Sequence, residues 1–145
     1  MRIKKFIILI FFFLFSVYGC HKEKPMEYYY QCKNQSWQRF NKITFNIPIN
    51  AGGTTYDIYL YANFTKAYSY ESLDLNMIMN TPSGEERIME YNMKITTRGE
   101  NVIEIKKGLY FSKKGTLSLE LENLMPVLKI TGISGLGIRL VNSGK

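Results

Sequence analysis

Histidine is almost absent: His21 is the single one in 145 residues. A zinc centre built on several histidines is therefore excluded. A Ser-His-Asp triad would have to recruit His21, which sits in the wrong place. Cysteine is scarce too, with Cys20 and Cys32 the two present. No acidic loop is dense enough in Asp and Asn to hold calcium. No segment sustains a 3.6-residue apolar period for three turns, and neither an internal repeat nor a low-complexity tract occurs. Charged residues are only 21% and aromatic ones 14%, a balance that excludes disorder. Acidic residues are the minority, 12 against 19 Lys and Arg for a formal charge of +7. Without Arg2, Lys4 and Lys5 at the N-terminus the excess is about +4, too modest to argue for nucleic acid. The length suits one domain with a real core.

What the sequence does have begins with an address. Arg2, Lys4 and Lys5 precede an apolar run from Phe6 to Phe15, which closes on Ser16-Val17-Tyr18-Gly19-Cys20. A basic start followed by about ten apolar residues has the build of a secretory signal, being short for a bilayer-spanning helix. Val17-Tyr18-Gly19-Cys20 resembles the bacterial lipobox, with an aliphatic residue three before the cysteine and a small one directly before it. That resemblance implies removal of residues 1–19 and acylation of Cys20, so that the protein works lipid-anchored beside a membrane. Residues 20–34 read as a lipidated tether that joins the domain as a first strand, and 35–145 as the folded domain. With Cys20 lipidated, Cys32 lacks an intramolecular partner and reads as a small apolar filler, intermolecular pairing being the alternative.

Past the tether the apolar period is two. Ile43, Phe45, Ile47 and Ile49 alternate with Thr44, Asn46 and Pro48, a half-buried strand whose proline suits a sheet edge. Asn50-Ala51-Gly52-Gly53 is a turn by composition. Tyr56, Ile58, Leu60, Ala62 and Phe64 then share one face, with Asp57, Tyr59, Tyr61 and Asn63 on the other. Leu73, Leu75, Met77 and Met79 form an inward set that stops at Thr81-Pro82-Ser83-Gly84, where proline second and glycine fourth predict a type I hairpin turn. Ser112-Lys113-Lys114-Gly115 predicts a second hairpin, after which Leu117, Leu119 and Leu121 face inward. Val127 to Ile130, a corner at Gly132-Ile133-Ser134-Gly135 and a strand from Gly137 to Val141 complete the chain. Short strands at roughly ten-residue spacing predict an all-β, antiparallel two-sheet β-sandwich, jelly-roll-like or Greek-key.

Chemistry is faint. Glu120 and Glu122 are the best carboxylate pair, because residues two apart on a strand share a face at roughly 6.6 Å, near the spacing an inverting glycosidase needs. A solvated sheet face predicts the same alternation, and no apolar pocket residue stands ready to raise either pKa. Lys106, Lys107, Lys113 and Lys114 could face anionic lipid heads or an acidic partner. A solvated edge protected against aggregation explains them as well and is preferred. Tyr59 and Tyr61, with Tyr28 to Tyr30, Trp37, Tyr68 and Tyr70, could stack on sugar rings, which makes a glycan-binding module the alternative function. Structural or interface use of those rings is preferred, with Tyr59 and Tyr61 the expected partner interface. The expectation is a non-enzymatic accessory protein without cofactor or metal.

The order of several stretches resembles the gliding-motility-associated lipoprotein H family of gliding Gram-negative bacteria. They are the signal ending at Cys20, Trp37 ahead of Ile43-Thr44-Phe45-Asn46-Ile47-Pro48, Tyr68-Ser69-Tyr70-Glu71-Ser72-Leu73, Pro82-Ser83-Gly84, and the ending from Ile130 to Leu140. Where the family usually carries a Trp and glycines in mid-chain, this sequence has Thr97-Arg98-Gly99-Glu100-Asn101. The resemblance implies a small lipid-anchored accessory of a cell-envelope machine that couples gliding to export of surface proteins, with envelope proteins as its partners and its domain facing the periplasm. It implies no residue-level function.

Overall fold

The structure is a computed structural model that describes residues 23–144. The expected signal, 1–19, and the expected lipid site, Cys20, lie outside those residues. Among the described residues there is no α-helix, and ten strands follow in order. They are β1 Met26–Gln31, β2 Ser36–Gln38, β3 Ile43–Ile49, β4 Thr54–Phe64, β5 Ser72–Asn80, β6 Glu86–Lys94, β7 Glu100–Phe111, β8 Gly115–Asn123, β9 Lys129–Thr131 and β10 Ile133–Asn142.

Two four-stranded sheets, ordered β1-β10-β4-β7 and β3-β8-β5-β6, carry the domain, with β2 and β9 paired as a small ribbon. All pairings are antiparallel. With the two ribbon strands set aside, first beside last and third beside sixth in one sheet, second beside seventh and fourth beside fifth in the other, is the strand order of a jelly roll. The expected sandwich is therefore present in its jelly-roll form.

The period of two sets the layers. In β3 the burial alternates without a break, Ile43, Phe45, Ile47 and Ile49 in and Thr44, Asn46 and Pro48 out. Pro48 lies on an edge strand, where its missing N–H is harmless. Leu73, Leu75, Met77 and Met79 of β5 meet Leu117, Leu119 and Leu121 of β8 across one inner face, and Ile58, Leu60, Ile138 and Leu140 supply the other. Each fully buried leucine or isoleucine contributes about 1.5–3 kcal/mol through the apolar area it removes from water.

Turn chemistry holds at one hairpin and misleads at another. Gly84 N–H donates to Thr81 O at 2.9 Å, and Gly84 has φ +87°, so Thr81-Pro82-Ser83-Gly84 closes the β5–β6 hairpin as its composition predicts. Ser112-Lys113-Lys114-Gly115 makes no hairpin. β7 pairs with β4 in one sheet and β8 with β3 and β5 in the other, so this turn carries the chain across the sandwich. The two turns look alike because four residues fix a reversal of direction but not the sheet in which the next strand finds a partner. The expected corner at residues 132–135 is likewise shorter: Gly132, at φ +83°, makes the bend alone, and Ile133 already belongs to β10. Met26–Gln31, inside the segment read as tether, is a full strand paired with β10 from Leu140 to Gly135.

The segment Thr97-Arg98-Gly99-Glu100-Asn101 is organised by buried Asn101. Its Oδ1 accepts from Thr96 N–H at 2.8 Å and its Nδ2 donates to Thr97 O at 2.8 Å, so one side chain stands in for ladder bonds where β6 passes to β7.

Candidate functional site

The expected interface residues Tyr59 and Tyr61 lie on the outer face of the β1-β10-β4-β7 sheet, opposite Ile58 and Leu60. Strand alternation forces that placement. Their exposure differs, however, because of what lies across the ladder. Tyr61 faces Gly137 of β10, which in turn faces Tyr29 of β1. The missing side chain of Gly137 leaves a trough, and a Cβ there would fall 2.2 Å from Tyr61 Cζ. The two tyrosine rings lean together over it, with centroids 6.1 Å apart and planes 10° from parallel.

Arg139 completes the cover. Its guanidinium carbon sits 5.0 Å from the Tyr61 ring centroid, a cation–π distance, while Nε reaches Glu27 at 2.5 Å and an NH2 reaches Glu100 at 3.5 Å. Tyr61 is left only 5% exposed, whereas Tyr29 is 49% exposed. Burial pushes the Tyr61 hydroxyl's pKa up, and the carboxylate of Glu27 adds to that. What this face offers to a neighbour is Tyr29, half-buried Tyr59 and exposed Val102, with Tyr61 as their support.

The other aromatic residues divide. Trp37 and Tyr68 are fully buried, with Trp37 Nε1 donating to Asn41 O at 2.6 Å and Tyr68 OH to Ser72 O at 2.7 Å, so neither can present a ring to a sugar. Phe64 and Tyr70 pack on Tyr68 at centroid distances of 4.5 and 5.5 Å.

Glu120 and Glu122 share the outer face of the second sheet as their spacing predicts, and Lys42 sits between them, 2.7 Å from each. Asn76 also donates to Glu122 at 3.0 Å. The hydrogen bonds from Lys42 and Asn76 hold the Glu122 carboxyl below the usual carboxylate range, and the same pairing pushes Lys42 up. A general acid must hold its proton near neutral pH, and these contacts favour the ionised form. Sequence reasoning missed Lys42 because it precedes β3, far from β8 in the chain.

Cys32 is buried, and burial raises its thiol to about 11, the behaviour of a filler rather than a nucleophile. Among the described residues no three of His, Cys, Asp and Glu cluster as a metal site, and no helix is long and apolar enough to cross a membrane. At the end where β3 and β10 begin, Phe40 is 83% and Leu128 72% exposed. Phe40 borders an open cleft of about 500 Å³ walled by Tyr30, Trp37 and Asn41. The expected lipid site, Cys20, falls outside the described residues.

Comparison with known proteins brings a family into view. A family model described as GldH lipoprotein matches residues 25–140, the whole sandwich except its last residues. The gliding motility lipoprotein GldH of Flavobacterium johnsoniae is 24% identical over 119 residues, covering 79% of this chain and 74% of that protein. Among solved structures, the VP2 subviral particle of infectious bursal disease virus aligns at a TM-score of 0.45 and 16% identity, over 86% of this chain and 34% of that one. TmCBM61 in complex with β-1,4-galactotriose aligns at 0.39 and 11% identity, over 84% of this chain and 70% of that one. The chain thus spans about a third of the VP2 chain, and neither likeness carries a functional argument.

Proposed function

This chain belongs to the GldH lipoprotein family, and from that premise we propose that it is a lipid-anchored, non-enzymatic accessory of the Gram-negative cell envelope, serving gliding motility and surface-protein export through protein contacts. The observation that carries the reading is the family match running over nearly the whole sandwich, residues 25–140. Cys20, where the apolar run ends, is the residue that takes the lipid, and two or three acyl chains at about 0.8 kcal/mol per buried methylene make attachment effectively permanent. The domain then faces the periplasm. Anchoring confines it to a thin layer, where high effective concentration lets a modest interface stay occupied.

That interface is the outer face around Tyr59 and Tyr61. Tyr61 seats Tyr29, and Tyr29, Tyr59 and Val102 make the contact, an aromatic and apolar group of the kind enriched at protein interfaces. Lys42 bridging Glu120 and Glu122 supports the non-enzymatic part of the reading.

Two measurements test it. Cys20→Ala should abolish metabolic incorporation of fatty acid and leave the signal uncut, and unchanged incorporation overturns the anchoring claim. Tyr29→Ser with Tyr59→Ser should keep the fold and the lipid while reducing crosslinked envelope partners in intact cells. A folded double variant that keeps every partner overturns the interface, and saturable binding on a glycan array would replace it with a sugar site.

A further inference from the structure

Several contacts gather at one end of the sandwich. Asn142 Nδ2 donates to Glu23 at 2.7 Å, and Met26 pairs with Leu140. Ser143 N–H donates to Thr55 O at 2.9 Å, and Gly53 N–H donates to Phe111 O at 2.8 Å. A Cβ on Gly52 would lie 2.5 Å from Ser112 O, and one on Gly115 would lie 3.0 Å from Pro82 Cβ. The start of β1, the end of β10, the β3–β4 and β7–β8 turns that cross between the sheets and the β5–β6 turn are thus neighbours. Glu23 comes three residues after Cys20, a reach of roughly 10 Å at full extension. The headgroup layer is itself about 6 Å deep on each side of the hydrocarbon. A lipid on Cys20 therefore leaves this end no room to stand clear of the bilayer surface.

The residues there suit that position. Lys24, Lys113 and Lys114 are exposed, and Tyr110 is 61% exposed on the edge strand β7 opposite Thr55. An amphipathic ring beside cations is the usual furniture of a membrane–water boundary. Of the acidic groups nearby, Glu23 accepts from Asn142, Glu85 is bound by Arg87 at 2.7 Å and Asp57 accepts Gly108 N–H at 2.7 Å, while Glu86 is exposed and makes no such bond among the described residues.

We propose that this end is a membrane-seating surface, with Lys24, Lys113, Lys114 and Tyr110 against anionic phospholipid headgroups of the bilayer that holds the Cys20 lipid. The inference rests on the anchoring reading above and adds an orientation to it. The sandwich stands on its β3–β4 and β7–β8 turns, and the Phe40 and Leu128 end points away from the membrane. The tyrosine face then stands roughly along the membrane normal, open to a lateral neighbour.

The test uses the full lipidated protein, in detergent and on phosphatidylcholine vesicles with and without phosphatidylglycerol, protection being expected only with phosphatidylglycerol. Lysines are acetylated with an amine-reactive reagent and read by mass spectrometry. On the anionic vesicles, labelling of Lys113 and Lys114 should fall about fivefold relative to detergent, the scale set by one lysine near an anionic surface. Lys33 and Lys129, at the opposite end, should label as before. Lys113→Glu with Lys114→Glu, in exposed turns that leave the thermal midpoint unchanged, should restore labelling of Lys24. Lipidated, vesicle-bound protein whose Lys113 and Lys114 label as in detergent overturns the seating surface and spares the anchor. Uniform protection at both ends overturns it too, since the domain would be lying flat. Protein recovered without lipid and off the vesicles overturns the anchor and this surface together.

Discussion

The outer faces of the two sheets are built on opposite plans. On β3-β8-β5-β6 the face is a conventional wet one, where Thr44, Asn46, Glu120 and Glu122 reach solvent and Lys42 ties two carboxylates from above. On β1-β10-β4-β7 the central strand carries glycine at 135 and 137, and tyrosines from the flanking strands lie down over the gap. Alternation predicts only that a residue points outward. Whether it is wet depends on the size of its neighbour across the ladder, so an outward side chain can be part of a second, shallower packing layer.

Both plans share an inner layer, and there the largest loss is expected. Leu119→Ala should destabilise by about 2–5 kcal/mol in urea denaturation, the range for a buried leucine, and an effect as small as that of Glu120→Ala would show that the register is wrong. Next comes the packed outer face. Tyr61→Ser should cost about 1.5–3 kcal/mol for the lost apolar burial, while Tyr59→Ser stays within about 0.5 kcal/mol. Equal effects would erase the distinction between supporting and presenting tyrosines. Gly137→Ala should cost about 1–3 kcal/mol by forcing the Tyr61 ring off its trough, as overfilling a packed site does, and a neutral result would mean the rings ride freely.

The wet face should answer weakly and through pH. Glu122 has its pKa depressed on folding, so its contribution is present above the unfolded carboxylate pKa and is lost as pH falls through the folded one. Glu122→Gln should therefore reduce stability near neutrality by less than about 1 kcal/mol, since the pair is solvent-screened. The difference from the parent should close in acid. A difference that persists under full protonation would mean that packing rather than charge is at stake.

The strands were legible wherever one side of a sheet is core and the other water, as in β3, β5 and β8, because water itself enforces the period of two. The β5–β6 hairpin was legible because proline and glycine restrict four local residues. The crossing at Ser112-Lys113-Lys114-Gly115 was not, since partner choice is settled by a strand distant in sequence. The outward placement of Tyr61 followed from alternation, but its burial did not, because it depends on Gly137, Tyr29 and Arg139. One signal was available: two glycines inside an otherwise apolar terminal strand mark a place where something approaches closely.

The first strand pairs with the last, and the last lies between β1 and β4. Synthesis runs from the N-terminus, so the keystone of the first sheet is made after both strands that it joins. Until Ile133–Asn142 arrives, β1 has no ladder partner and one edge of β4 is bare, a sticky condition that lasts while all the intervening strands are made. A chain cut before Ile133 would thus lack an interior strand, and a nascent chain stalled there would be a ready client for a holding chaperone.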